Sequence, residues 1–129
     1  MNKKIGFIGY GNMARGMIAG LLNSNIVVPD SILASNSTFG KLETAKKDFG
    51  IGVTSDNKSA ARFADILVLS VKPNKYKEVI QEIRNDVKKD AVIVSIAAGI
   101  KIKTIEDFFG KEMKVVRTMP NIAAVVGEA

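Results

Sequence analysis

Two bare backbone positions, Gly9 and Gly11, follow an apolar run, and Ala14 completes a G-x-G-x-x-A spacing at the start of a helical pattern. Between a strand and a helix, this spacing is typical of a turn that binds a pyrophosphate. Gly9 would permit the tight turn, Gly11 would let phosphates approach the main chain, and Ala14 would allow close helix packing. We therefore predict ligand contacts at Gly9, Gly11, Asn12 and Met13, supported by the positive N-terminus of the helix. The alternative is that the glycines serve only the turn and the packing.

The end of the second predicted strand carries neutral donors. Folds that bind an unphosphorylated ribose usually place Asp or Glu about twenty residues beyond the motif, but this region reads "ILASNSTFGKLE", with no acid before Glu43. Neutral donors beside a cation suit a 2′-phosphate, which a carboxylate would repel. We predict that Ser35, Asn36, Thr38 and Lys41 bind NADP(H) in preference to NAD(H), which remains possible. The "SNST" run also fits a polar loop that caps the next helix.

The chain of 129 residues contains no histidine and no cysteine. A histidine-based alcohol dehydrogenase, a Ser-His-Asp hydrolase and a His/Cys zinc enzyme are therefore excluded for this chain alone, and we expect no metal site. The net charge is +6, but the 19 Lys and Arg are scattered among acids rather than forming one block. We expect these charges to form a solvated surface, with a mild attraction of small anionic ligands as the alternative, and we expect no nucleic-acid partner.

Six short apolar runs alternate with longer stretches of helical periodicity. Two of them, "DILVLSV" and "AVIVSIA", are almost continuously apolar, as expected of strands that helices cover on both faces. We predict an α/β fold with a doubly wound, mainly parallel sheet, a Rossmann-type NAD(P)-binding domain. The predicted strands are residues 5–8, 31–35, 51–53, 66–71, 92–96 and 115–118. Asn74 is a predicted helix N-cap, and Thr104 with Asp107 resembles a capping box.

In such a sheet, ligands bind beyond the carboxyl ends of the strands, near the point where the strand order reverses. The residues that follow the fourth and fifth strands, and are predicted to bind cofactor, are Val71, Lys72, Pro73, Ala97, Ala98 and Gly99. On the substrate side the candidates are Met119, Pro120 and Asn121. Lysine is common at strand ends and asparagine often caps turns, so Lys72 and Asn121 also have purely structural interpretations.

The composition, 47% hydrophobic and 25% charged, is that of one globular domain. No run approaches the length of a membrane span, and Lys3 and Lys4 lead straight into a strand, unlike a signal peptide. We expect a cytoplasmic protein without a membrane partner. The sequence ends on the apolar stretch "MPNIAAVVGEA", from which we expect a second domain to be missing.

These residues resemble the N-terminal half of pyrroline-5-carboxylate reductase, the family of the last step of proline synthesis. The resemblance covers essentially the whole chain. It rests on "IGFIGYGNMARGMIAGLL", "ILASN", "ADILVLSVKP", "VSIAAGI" and "VVRTMPNIAAVVGEA". The first segment is shared with several reductase families, whereas the last is far more specific.

The resemblance implies that residues 1–129 form an NADP-binding domain and that a helical C-terminal domain, which makes the homo-oligomer and much of the substrate pocket, is absent. It also implies reduction of the cyclic imine 1-pyrroline-5-carboxylate to L-proline by hydride transfer from NAD(P)H. A protonated imine needs a well-placed nicotinamide more than a protein acid, so we assign no catalytic residue and expect the isolated domain to be inactive. Two positions depart from the common family pattern: Ala123 replaces a proline, and Ser37 replaces an arginine.

Two other interpretations fit parts of the sequence. The β-hydroxyacid dehydrogenases resemble the opening "GFIGYGNM", but "RTMPN" argues against them. A non-catalytic nucleotide-sensing module would explain the lack of catalytic groups. It predicts binding without turnover, even in the complete protein.

Overall fold

A six-stranded parallel sheet in the order β3-β2-β1-β4-β5-β6 forms the centre of the molecule. The computed structural model describes residues 3–117, so Met119, Pro120, Asn121 and Ala123 lie outside the described residues. The strands are β1 (Ile5–Ile8), β2 (Ile32–Ser35), β3 (Gly52–Thr54), β4 (Ile66–Leu69), β5 (Val92–Ser95) and β6 (Lys114–Arg117). The helices are α1 (Asn12–Asn23), α2 (Phe39–Phe49), α3 (Asn57–Phe63), α4 (Tyr76–Ile83) and α5 (Ile102–Phe109). The order reverses between β1 and β4, which confirms the predicted doubly wound parallel sheet.

Strand β4 illustrates why the strands are apolar throughout. Ile66 and Val68 pack with α1 and α2 on one face of the sheet, whereas Leu67 and Leu69 pack with α3, α4 and α5 on the other. All four side chains are fully buried. Successive side chains of a strand point to opposite faces, so a strand covered on both faces has to be apolar at every position.

The strand boundaries differ from the predicted ones by at most two residues, but both predicted helix caps are wrong. Asn74 lies inside a 3₁₀ turn, Pro73–Lys75, and α4 begins at Tyr76 without a side-chain cap. Helix α5 begins at Ile102, so Thr104 lies within it. Proline has a fixed φ and no N–H, and Pro73 therefore begins the 3₁₀ turn that displaces the start of α4.

The four central strands end level with one another. Ile8 of β1 is in register with Ser35 of β2 and with Leu69 of β4, which in turn is in register with Ser95 of β5. Because the strands are parallel, the segments that follow these residues all leave the sheet at one edge, which we call the carboxyl end. Within residues 3–117, no helix has the length and apolar character needed to cross a membrane.

Candidate functional site

The first turn at the carboxyl end requires glycine at position 9 for two reasons. Gly9 has a φ of +97°, a conformation that side chains rarely adopt. A Cβ atom there would also lie 2.9 Å from the carbonyl oxygen of Ser70 and 3.0 Å from Cγ1 of Val71. The N–H of Gly9 donates to the carbonyl oxygen of Ser35 at 2.9 Å. The turn is thus packed between the ends of β2 and β4.

Gly11 is different, because nothing in the described residues requires glycine there. Its φ of −111° is accessible to any residue, and it forms the N-cap of α1 without a side-chain hydrogen bond. Within residues 3–117, no atom beyond the immediate chain neighbours lies within 4 Å of the position that a Cβ would occupy. A side chain would fit the chain itself and would obstruct only a ligand that approached the N-terminus of α1. Backbone N–H groups at the N-terminus of a helix are suited to bind an anion.

Small polar side chains hold the turn in place. The hydroxyl of Ser70 donates to the carbonyl oxygen of Gly9 at 2.7 Å and lies 2.9 Å from that of Ile8. On the other side, Oδ1 of Asn36 accepts a hydrogen bond from the backbone N–H of Tyr10 at 3.2 Å. The turn is therefore fixed from β4 and from the loop after β2 before any ligand binds.

The predicted phosphate-binding residues of that loop occupy different environments. Ser35 is fully buried, and its hydroxyl donates to Oδ1 of Asn57 at 2.7 Å, so it supports the loop from beneath. Thr38 is the N-cap residue of α2 but makes no side-chain cap bond, so the predicted capping role of "SNST" is not realised there. Thr38 and Lys41 are exposed to solvent. A phosphate contact by Ser35, Asn36, Thr38 or Lys41 remains a prediction.

A hollow of about 240 Å³ lies between the first turns of α1 and α2. Its lining residues are Tyr10, Gly11, Asn12, Arg15, Gly40, Lys41 and Thr44. The lining contains two cations and no carboxylate. Sequence analysis identified Gly11, Asn12 and Lys41 but missed Tyr10 and Arg15. Tyr10 occupies a variable position of the motif and Arg15 directly follows the motif, and only the fold brings them to the same hollow as Lys41 and Thr44 of α2.

Tyr10 carries a polar atom without a partner. Its side chain is 4% exposed, and its hydroxyl has no hydrogen-bond partner within residues 3–117. Burial raises the pKa of this phenol, an effect that nearby Arg15 opposes and Asp48 reinforces. Arg15 itself forms an ion pair with Asp48 at 3.4 Å. A buried hydroxyl that lacks a partner is uncommon in folded proteins, and here it belongs to a residue that lines the hollow.

The segments after β4 and β5 complete the carboxyl end. Val71 packs beneath Gly9, Pro73 begins its 3₁₀ turn, and Lys72 is exposed and makes no ion pair with another described residue. Ala98 and Gly99 are exposed and Ala97 is half-buried. The structure thus brings the turn at residues 9–13 to the same edge as residues 71–73 and 97–99, as predicted from the strand order.

Buried hydrogen bonds fix the ends of β4 and β5 relative to each other. The hydroxyl of Tyr76 donates to the carbonyl oxygen of Leu69 at 3.0 Å and is 3.0 Å from the hydroxyl of Ser95. Burial raises the pKa of Tyr76, so it is a neutral donor at physiological pH. The sequence analysis did not identify Tyr76 or Ser95 as site residues, because both lie in segments whose pattern is that of an ordinary core.

A larger hollow of about 460 Å³ lies elsewhere, beside the end of α5. Three acids and two lysines line it, namely Glu106, Asp107, Glu112, Lys103 and Lys111. The end of α5 precedes β6 and so lies at the opposite, amino end of the sheet. Its three carboxylates make it a poor site for phosphates. No cluster of three potential His, Cys, Asp or Glu ligands for a metal occurs within residues 3–117.

The carboxyl end fits a dinucleotide. Gly11 leaves an open cradle at a helix N-terminus, and two cations line the adjacent hollow. Tyr10, another lining residue, has a hydroxyl without a partner among the described residues. Together with the strand order, these features define a Rossmann-type dinucleotide-binding domain. Residues 4–99 match the family described as "NADP oxidoreductase coenzyme F420-dependent", and the chain belongs to this family.

Individual relatives extend the comparison over nearly the whole chain. Pyrroline-5-carboxylate reductase of Methanosarcina acetivorans is 41% identical over 128 residues, which are 99% of this chain and 47% of that protein. A solved pyrroline-5-carboxylate reductase from Coxiella burnetii superposes with a TM-score of 0.87 at 35% identity, covering 98% of this chain and 47% of that one. A Plasmodium falciparum pyrroline carboxylate reductase with NADP bound gives a TM-score of 0.80 at 31% identity, with 98% and 45% covered. The resemblance predicted from the sequence is confirmed, and the chain spans about half the length of these relatives.

Proposed function

We propose that this chain is the NADP(H)-binding part of a pyrroline-5-carboxylate reductase, which reduces 1-pyrroline-5-carboxylate to L-proline. The observation that carries the proposal is Gly11, whose missing side chain is explained by neither its φ nor its packing, and which stands at an uncapped helix N-terminus. The similarity to reductases of this name, one of them with NADP bound, supports the choice of cofactor and substrate.

In this proposal, the backbone N–H groups of Gly11, Asn12 and Met13 bind the diphosphate at the N-terminus of α1. The segments at residues 71–73 and 97–99 flank the nicotinamide half of the cofactor, because they leave the sheet on the far side of the strand reversal. When bound, NADPH supplies the hydride. The chain supplies orientation, and holding donor and acceptor in reactive geometry is worth roughly 7–11 kcal/mol of a barrier.

Ser70, Asn36 and Tyr76 act indirectly in this proposal. Their hydrogen bonds hold the glycine turn and the ends of β4 and β5 before the cofactor arrives. Such preorganisation lowers the entropy that binding has to remove from the site. No described residue is assigned a proton-transfer role, since the reaction needs none at the nicotinamide.

The proposal also covers a full-length protein of the same length as the relatives, of which this chain would be one part. Residues 1–129 form the cofactor domain, and a helical domain supplies the homo-oligomer interface and most of the substrate pocket. Met119, Pro120 and Asn121 border that pocket. A cytoplasmic location belongs to the same proposal, as does the expectation that this chain alone has negligible turnover.

The test has two parts. Calorimetric titration of this chain should give tighter binding of NADPH than of NADH, because no acid at the end of β2 repels a 2′-phosphate. A clear preference for NADH would contradict the cofactor assignment. Purified chain extended to the length of its relatives should then reduce 1-pyrroline-5-carboxylate with NADPH, whereas binding without turnover in that longer protein would favour a nucleotide-sensing module.

A further inference from the structure

We propose that Arg15, together with Lys41, binds the 2′-phosphate of NADP(H) and so determines the preference for the phosphorylated cofactor. The inference rests on the proposed function and names a specificity residue within that same site. Arg15 projects from the first turns of α1 and Lys41 from the first turn of α2, on opposite sides of the hollow of about 240 Å³.

Two side-chain oxygens at the end of β2 and in the loop after it are already engaged. The hydroxyl of Ser35 is buried and donates to Asn57, and Oδ1 of Asn36 accepts from the backbone of Tyr10. The cations that line the hollow are Arg15 and Lys41, and no carboxylate lines it. A dianionic phosphate in this hollow would therefore meet its charge complement from two helices rather than from the loop.

The present partner of Arg15 is one that a phosphate can replace. The ion pair with Asp48 has an N–O distance of 3.4 Å, and the two side chains are 55% and 32% exposed. Exposed pairs of this kind contribute little to stability, whereas a phosphate offers a guanidinium more charge and two hydrogen bonds in parallel. Asp48 thus competes with an incoming phosphate for Arg15 but holds it only weakly.

The unpaired hydroxyl of Tyr10 is an independent sign that a ligand enters this hollow. It is buried, has no partner within the described residues, and belongs to a residue that lines the same hollow as Arg15 and Lys41. A phosphate or ribose oxygen would satisfy it.

Adenosine 2′,5′-bisphosphate and 5′-AMP differ only in the 2′-phosphate, so their affinities measure this contact alone. In calorimetric titrations, Arg15→Gln should weaken binding of the bisphosphate about tenfold and change that of 5′-AMP less than about twofold. Arg15→Lys should restore part of the loss. Lys46→Gln, which removes an exposed cation from the last turn of α2, is the matched control and should leave both affinities unchanged.

A second variant tests the role of Asp48. Asp48→Asn removes the competing carboxylate and should tighten bisphosphate binding about two- to threefold without affecting 5′-AMP. Equal losses for both probes in Arg15→Gln, or no loss for either, would overturn the inference while leaving the proposed function intact. If the unmodified chain bound neither probe and neither NADPH nor NADH, the proposed function itself would fail, and the inference with it.

Discussion

The two ends of the parallel sheet use polar groups in opposite ways. At the amino end, the carboxylate of Asp65 accepts from the backbone N–H of Lys4 at 2.9 Å and from the ammonium of Lys88 at 3.1 Å. Arg62 donates to Asp86 at 2.8 Å. At this end, Asp65 and Asp86 thus have their charged partners within the chain.

At the carboxyl end, several hydrogen-bond donors and cations have no partner among the described residues. The hydroxyl of Tyr10 has no partner among the described residues, Lys41 and Lys72 make no ion pair there, and the N-terminus of α1 has no side-chain cap. The backbone of the turn is nevertheless held firmly by Ser70 and Asn36. Polar groups satisfied within the chain secure the fold, whereas the unsatisfied donors on the rigid turn lie where we propose that the ligand binds.

The largest expected effect comes from filling the cradle at the carboxyl end. Gly11→Val should weaken NADPH binding at least about 100-fold, because the side chain would occupy the place of the diphosphate, a loss of about 2.7 kcal/mol. The melting temperature should change little, since the position has open space around it. Calorimetry measures the affinity for NADPH, and thermal unfolding monitored by circular dichroism measures the melting temperature.

Gly16→Val is the matched control, because Gly16 lies on the same helix, also with open space around its Cβ position. It should leave NADPH binding unchanged. Undiminished affinity in Gly11→Val would mean that the first turn does not hold the cofactor.

Substitution of Gly9 should have the opposite effect and destabilise the fold. Gly9→Ala should lower the free energy of unfolding by about 1–3 kcal/mol, because it forces a side chain into a φ of +97° beside the carbonyl of Ser70. Gly11→Ala should lower it by only about 0.5 kcal/mol, because alanine is a poorer N-cap residue than glycine but meets neither strain nor a clash there. Urea unfolding of the two variants gives the comparison, and equal losses would show that both glycines are structural.

At the amino end, we expect stability to change without binding. Asp65→Asn should lower the free energy of unfolding by about 1 kcal/mol at pH 7, because the amide weakens the bonds to Lys4 and Lys88. The affinity for NADPH should stay the same. An effect on binding as large as that on stability would remove the distinction between the two ends.

The same variant has a pH signature. The backbone N–H of Lys4, with help from Lys88, lowers the pKa of Asp65 despite partial burial. The charged Asp65 carboxylate therefore stabilises the fold fully above the pKa that this carboxyl has in the unfolded chain, about 3.9. This stabilisation is lost as the pH falls through its lower pKa in the folded chain. Below about pH 4, the unmodified chain should lose more stability than Asp65→Asn, and parallel stability curves would contradict this.

The smallest effect tests the unpaired hydroxyl. Tyr10→Phe should leave the free energy of unfolding unchanged or slightly higher, since no partner loses a bond. It should weaken NADPH binding about fivefold, the equivalent of one hydrogen bond of about 1 kcal/mol. A loss of stability with no loss of affinity would show that the hydroxyl serves the fold.

The sequence was sufficient for the sheet and for part of the site. The apolar runs around Ile66 and Val92 predicted buried parallel strands because such strands are apolar on both faces, and the spacing of Gly9 and Gly11 located the turn. The carboxyl-end residues converge because strand order alone determines which segments share an edge.

What the sequence left open depends on packing between distant segments. Arg15 and Tyr10 become site residues only because α1 lies beside α2, and Ser35 is removed from the surface by its bond to Asn57. The wrong cap at Asn74 has a local cause, since Pro73 begins a 3₁₀ turn first. Side-chain contacts across the fold have no periodic signature that a single sequence could reveal.

The central claim is that the dinucleotide binds at the carboxyl end of the sheet. The most direct measurement is an NMR titration of ¹⁵N-labelled chain with NADPH, read out at the backbone amides. The account predicts that the largest shifts occur at residues 9–13, with further shifts at 71–73 and 97–99. Shifts concentrated at residues 103–112, around the larger hollow at the amino end, with residues 9–13 unmoved, would contradict it.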